Sequence, residues 1–179
     1  MKKPLLVLTA AAATVVALAT PAAAAPTGDT IVTFTVATAD LNVNVPAAVN
    51  LGAVFAGDDL SGPLGEVTVL DERSALNATW VATVSATSFT TGDRTPEETI
   101  TPNLVDYWSG EATTTGAGVF VPGQRFEEDR VNLGVPRTAY SKTSGSGNNS
   151  ATWIPNIRIQ VPETAVGGTY TGVITHSVA

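Results

Sequence analysis

The sequence predicts an all-β fold, and two observations predict it. Beyond the first two dozen residues the chain is rich in threonine, valine, glycine and proline, and charged residues make up only 14% of the whole sequence. That is the composition of half-exposed strands rather than of helices. Apolar residues also recur at every second position in short runs separated by turn residues, and no window after the start shows a sustained helical period. Strands of this kind bury one face each by stacking in two layers. The expected architecture is an antiparallel β-sandwich of Ig-like or related Greek-key topology.

The start of the chain is of another kind. Lys2 and Lys3 precede an apolar run from Leu5 to Ala19, and Thr20 to Ala25 are small residues flanking a proline. This is the layout of a secretory signal, too short to span a bilayer. Pro26 disfavours cleavage after Ala25, so the Ala22-x-Ala24 site is expected. Residues 1–24 then form the signal peptide and residues 25–179 a single sandwich domain.

The elements follow in order. In Thr30 to Val36, Val32, Phe34 and Val36 share a face, and in Leu41 to Val45 the apolar face is Leu41, Val43 and Val45. Val67 and Val69 point one way in Glu66 to Asp71, and Trp80, Ala82, Val84 and Ala86 do so in Ala78 to Ala86. A hairpin across Glu72 to Asn77 is expected to join these two. Trp153, Ile157, Ile159 and Val161 share a face of Ala151 to Val161, and Tyr170, Ile174, His176 and Val178 share one of Thr169 to Val178. These two are expected to pair across Pro162 to Gly168. Pro155 places its strand at an edge or a bulge. Weaker strands are expected at Leu104 to Trp108, Gly118 to Val121 and Thr138 to Lys142, with a flexible polar loop from Ser141 to Ser150.

Charge and residue inventory narrow the chemistry. The formal charge is −7, and it becomes more negative once the signal lysines are gone. Such a surface repels nucleic acid and anionic lipid. Without cysteine there are no disulfides, no thiolate metal sites and no acylated-cysteine anchor. With no second apolar stretch and no hydrophobic tail, no membrane span is expected. The exported chain is expected to be free or held non-covalently.

Only one histidine, His176, is available to serve a catalytic triad or a histidine metal site. On an apolar strand face it reads as a hydrogen-bonded core or rim residue. Carboxylate runs at Asp58-Asp59, Glu97-Glu98 and Glu127-Glu128-Asp129 lie in expected loops and match no EF-hand spacing, so they read as solvated rather than as a calcium site. No enzyme, cofactor or metal is expected. Trp80 and Trp153 lie on apolar faces and read as core. Tyr107 and Trp108 are the candidate surface aromatic contact: alternation turns one of the pair outward beside Ser109-Gly110, where a ring stacks on a sugar.

Taken together, Val67-Thr68-Val69-Leu70-Asp71-Glu72-Arg73, then Trp80, then the terminal Gly168 to Val178 resemble the WxL domain of Gram-positive surface proteins. In that family a strand ending in x-V-x-D-x-R precedes a W-x-L strand, and a second W-x-L closes the chain. Here those motifs stand as Trp80-Val81-Ala82 and His176-Ser177-Val178, so both lack leucine and the second lacks tryptophan. The resemblance, covering roughly Gly65 to Ala179, implies an exported protein held non-covalently on the cell envelope, with peptidoglycan as ligand. Asp71, Arg73, Trp80 and His176 are its motif positions and read as structural. Asp71 and Arg73 share a face and are placed to satisfy backbone groups of the turn leading to Trp80.

The leading expectation is therefore a non-catalytic secreted protein whose partners are cell-wall polymer or other surface proteins. The alternative is a structural subunit of a fibre or surface layer that self-assembles by strand addition, with Ile31 to Val45 as donor.

Overall fold

The computed structural model describes residues 28 and 30–179. The expected signal and its cleavage site lie outside the described residues. The strands are β1 (Leu41–Asn44), β2 (Asp59–Pro63), β3 (Val67–Asp71), β4 (Trp80–Ala86), β5 (Phe89–Thr90), β6 (Thr99–Ile100), β7 (Val105–Trp108), β8 (Ala112–Thr115), β9 (Val119–Pro122), β10 (Val131–Asn132), β11 (Arg137–Ser144), β12 (Asn149–Trp153), β13 (Asn156–Gln160) and β14 (Ile174–Val178). Every ladder is antiparallel.

Three four-stranded sheets carry the fold, ordered β1-β3-β12-β8, β10-β7-β13-β2 and β14-β4-β11-β9. The first two are one layer with a crease. Three strand pairs, β2 and β3, β13 and β12, β7 and β8, run through both sheets in the same lateral order and bend at residues 64–66, 154–155 and 109–111. Leu64 donates its backbone N–H to the Pro155 carbonyl at 2.8 Å, joining two of the bends. The third sheet is the facing layer. Tyr140 on β11 stacks on Trp153 of β12 with ring centroids 5.1 Å apart. The antiparallel β-sandwich expected from alternation is the fold.

Period-2 patterning sets which side chains enter the core. Val67 and Val69 of β3, Trp80, Ala82 and Val84 of β4, Val105 and Tyr107 of β7, Ala151 and Trp153 of β12 and Ile157 and Ile159 of β13 are buried together. A bulge between Thr138 and Tyr140 shifts the register of β11 and lets the adjacent Ala139 and Tyr140 both point inward. The threonines work on the outer faces, where hydroxyls pair across strands: Thr68 with Thr152 at 2.9 Å, Thr83 with Ser177 at 2.8 Å and Thr115 with Ser150 at 2.7 Å.

Several local expectations are corrected. Residues 30–36 fall in no strand, and Phe34 is 85% exposed. The expected hairpin of β3 and β4 does not form: β3 lies between β1 and β12, β4 between β14 and β11. The run 151–161 is two strands rather than one, with the fully buried Pro155 in the crease between them, where an edge or a bulge was expected. The final strand begins only at Ile174 and pairs with β4, not with β13. Residues up to Ser144 and from Asn149 belong to strands, leaving a turn of 145–148 in place of the long polar loop. Among the described residues, β5 and β6 are the only ladder between consecutive strands. Alternation tells which face of a strand is apolar, but pairing is chosen by packing against distant chain.

Candidate functional site

Three of the four positions, Asp71, Arg73 and Trp80, converge on the arch that carries the chain from β3 to β4. An arch crossing between layers has backbone carbonyls with no ladder partner, and buried carbonyls must be satisfied. Two cations do this. Arg73 donates from Nη2 to the Thr79 carbonyl at 2.9 Å, and Lys142 donates from Nζ to the carbonyls of Ala78 at 2.7 Å and Ser144 at 2.8 Å. The arch also docks on the 145–148 turn: Ala78 N–H reaches the Gly145 carbonyl, Gly147 N–H the Ala75 carbonyl, and Ser74 the Asn148 side chain.

Each cation is held in turn. Asp71, wholly buried, accepts from Arg73 Nε at 2.9 Å and from its Nη2 at 3.0 Å, a bidentate pair. The Arg73 guanidinium is the chief reason the Asp71 carboxyl is lowered to about 2, with Asn149 adding to the effect. Asn149 donates from Nδ2 to Asp71 at 3.0 Å and accepts the Trp80 indole N–H at 2.9 Å. Lys142 is 1% exposed; burial pushes its ammonium below the ordinary lysine range, and its Nζ lies 5.7 Å from the Phe120 ring centroid, whose edge meets Trp80. Asp71, Arg73 and Trp80 are thus brought together, and they hold an arch rather than the expected hairpin. Sequence reading missed Asn149 and Lys142. For Lys142 the signal was parity, since it shares a strand face with Tyr140.

His176, half-buried, belongs to a second chain of polar groups. Trp153 Nε1 donates to the Tyr107 hydroxyl at 3.4 Å, and that hydroxyl lies 3.1 Å from His176 Nε2. An indole only donates, so the Tyr107 oxygen accepts from Trp153, and the direction of its bond to His176 Nε2 follows the imidazole tautomer. Burial lowers the His176 pKa to about 4 and raises that of Tyr107. Tyr107, expected with Trp108 as a surface contact, is corrected to a core residue at 0% exposure. Its position on β7 faces the other layer, where the hydroxyl finds His176 of β14, while Trp153 reaches it from β12 of its own layer.

Trp108 takes the opposite parity and stands half-exposed on the outer face of the crease's second sheet, across from Asn156. That face also carries Asp106, Arg158 and Gln160. Asp106 accepts from Arg130 Nε at 3.2 Å and Gln160 Nε2 at 3.3 Å, and Arg158 Nε donates to Asp59 at 3.1 Å. A cavity of about 450 Å³, lined by Asp106, Glu128, Arg130, Val131, Asn132 and Arg137, opens beside it. The acidic runs have local partners: Glu98 caps a 3-10 turn through Thr95 N–H at 3.0 Å, and Asp129 does the same for Phe126 N–H at 3.3 Å. Among the described residues no three His, Cys, Asp or Glu side chains group as a metal site, and no helix is long and apolar enough to cross a membrane.

The geometry defines an antiparallel β-sandwich with an ion-stapled arch. No family model matches the chain, and no curated protein matches it. Among solved structures it is similar to a family 123 glycoside hydrolase from Clostridium perfringens, at 19% identity and a TM-score of 0.36, over 70% of this chain and 19% of that one. The chain spans about a fifth of that protein's length. The protein it is similar to is a hydrolase, so the comparison runs against the expectation that the chain is not an enzyme. A likeness of this size assigns neither that protein's substrate nor its residues to this chain.

Proposed function

We propose that this chain is an exported protein that associates non-covalently with the bacterial cell surface, with cell-wall polymer as its ligand. The observation that carries the reading is the meeting of the WxL-like motif residues: Asp71, Arg73 and Trp80, spread over ten positions, form one connected group through Asn149. The signal-like start and the net negative charge fit an exported protein that avoids lipid and nucleic acid.

Within this reading Trp80 is structural and the ligand meets the outer face of β7 and β13. An indole flanked by amide, guanidinium and carboxylate groups offers stacking and paired hydrogen bonds to a polyhydroxylated ring. The purified mature chain should sediment with peptidoglycan, and Trp108→Ala should weaken sedimentation while leaving the melting temperature within a degree or two. A chain that stays wholly in the supernatant sinks the proposal. Release from intact cells by chelator would point to a cation bridging two acidic partners.

A further inference from the structure

We propose that residues 30–36 of one copy of this chain add as a strand to the β9 edge of a second copy. The starting observation is a mismatch between pattern and environment. Thr30 to Val36 alternates as a strand with one buried face does, yet residues 30–36 belong to no strand, and Ile31, Val32, Phe34 and Val36 are 91%, 80%, 85% and 66% exposed. Consecutive large apolar side chains left in water mark an unmet interface. Period-2 alternation with backbone groups outside any ladder calls for a sheet edge rather than a groove. The neighbouring Leu41 to Asn44 is not available as donor, since it is already paired to β3 as β1.

The chemistry of the edges selects the acceptor. The terminal strands of the three large sheets are β1, β8, β10, β2, β14 and β9. The first five expose mainly polar side chains: Asn42 and Asn44, Thr113 to Thr115, Asn132, Asp59 and Ser61, Thr175 and Ser177. β9 instead exposes Val119 at 53% and Val121 at 42%, and Val121 continues a cross-strand row through Ser141 to the exposed Val81 of β4. Pro122 ends β9, as suits an edge strand. An added strand presenting Val32, Phe34 and Val36 beside those valines covers apolar surface on both partners. The contact joins two different surfaces, so reciprocal exchange closes a dimer and one-way addition propagates a fibre.

The chain has no cysteine, so introduced thiols report this contact alone. Mature chains carrying Phe34→Cys are mixed with chains carrying Val121→Cys under mild oxidation. The proposal expects a disulfide-linked heterodimer, and oligomers that grow with concentration in the unmodified chain. Phe34→Asp and Val121→Lys should each abolish those oligomers, with near-ultraviolet circular dichroism showing that both variants stay folded. A chain monomeric at every concentration overturns the proposal. So does a disulfide that forms only within one chain carrying both cysteines, which would place the segment on its own β9. Neither substitution touches the β7 and β13 face, so peptidoglycan sedimentation is scored separately and can fail or succeed by itself.

Discussion

Trp80 and Asn149 lie on facing layers of the sandwich and are joined by one hydrogen bond, the indole Nε1 donating to Oδ1 at 2.9 Å. That bond places the motif tryptophan inside the molecule. It is 2% exposed, and the only polar atom of its ring is spent on a side chain that is itself bound to Asp71. A tryptophan so held orders the arch rather than offering its face to a ligand.

Trp80→Ala removes a large buried ring and should cost about 3 to 5 kcal/mol, read as a fall in the urea midpoint at unchanged slope. Trp80→Phe keeps most of the packing but leaves Asn149 Oδ1 unpaired, which costs roughly 1 to 3 kcal/mol. A Phe variant as unstable as the Ala variant would show that the hydrogen bond, not the ring volume, carries the effect.

Lys142→Met retains the packing of the stem and deletes the ammonium. The carbonyls of Ala78 and Ser144 then lose their donor, and a loss of about 1 to 3 kcal/mol is expected from unsatisfied buried acceptors. Hydrogen exchange should rise at Ala78 N–H, which closes the same arch. Unchanged stability would mean that water replaces the ammonium there.

Half-buried His176 and buried Asp71 should make stability fall in two steps on acidification. His176 has a folded pKa of about 4 against an ordinary 6.5, so between those values the unfolded chain binds a proton that the folded chain refuses. Stability should therefore be full above pH 6.5 and drop by on the order of 3 kcal/mol toward pH 4. His176→Gln, which keeps an acceptor for Tyr107, should flatten the melting temperature across that window.

Asp71 acts in the next window. Its carboxyl, lowered from 3.8 to about 2, contributes stability that is present above pH 3.8 and lost as pH falls through 2. The contribution is about 2 kcal/mol. Asp71→Asn should remove this acid step and leave Arg73 without its counter-charge. A variant that kept the step would place its origin in another carboxylate.

How much could be read in advance differs between residues. The parity of Val67, Val69, Trp80, Ala82, Val84, Trp153, Ile157 and Ile159 was legible, because a strand's inward positions must be apolar whichever strand lies beside it. Tyr107 was not, since a tyrosine suits a rim as well as a core until partners for its hydroxyl are known. The polar stretch from Ser141 to Ser150 misled for the same reason. Lys142 and Asn149 have loop composition, and only the carbonyls of the arch and the Trp80 indole make them interior residues.

That this protein is built of strands, and which face of most of them is buried, was readable from the residues alone, because alternation is a local property enforced by the pleat. Which strands pair was fixed only when the two layers packed. Nearly every ladder joins segments far apart in the chain, and such pairings are chosen by the summed fit of two layers, which no short window contains. Packing likewise decided that the acidic and basic motif residues close an arch. A buried charge is tolerated only where distant groups converge to satisfy it, and that convergence exists only once the layers have packed.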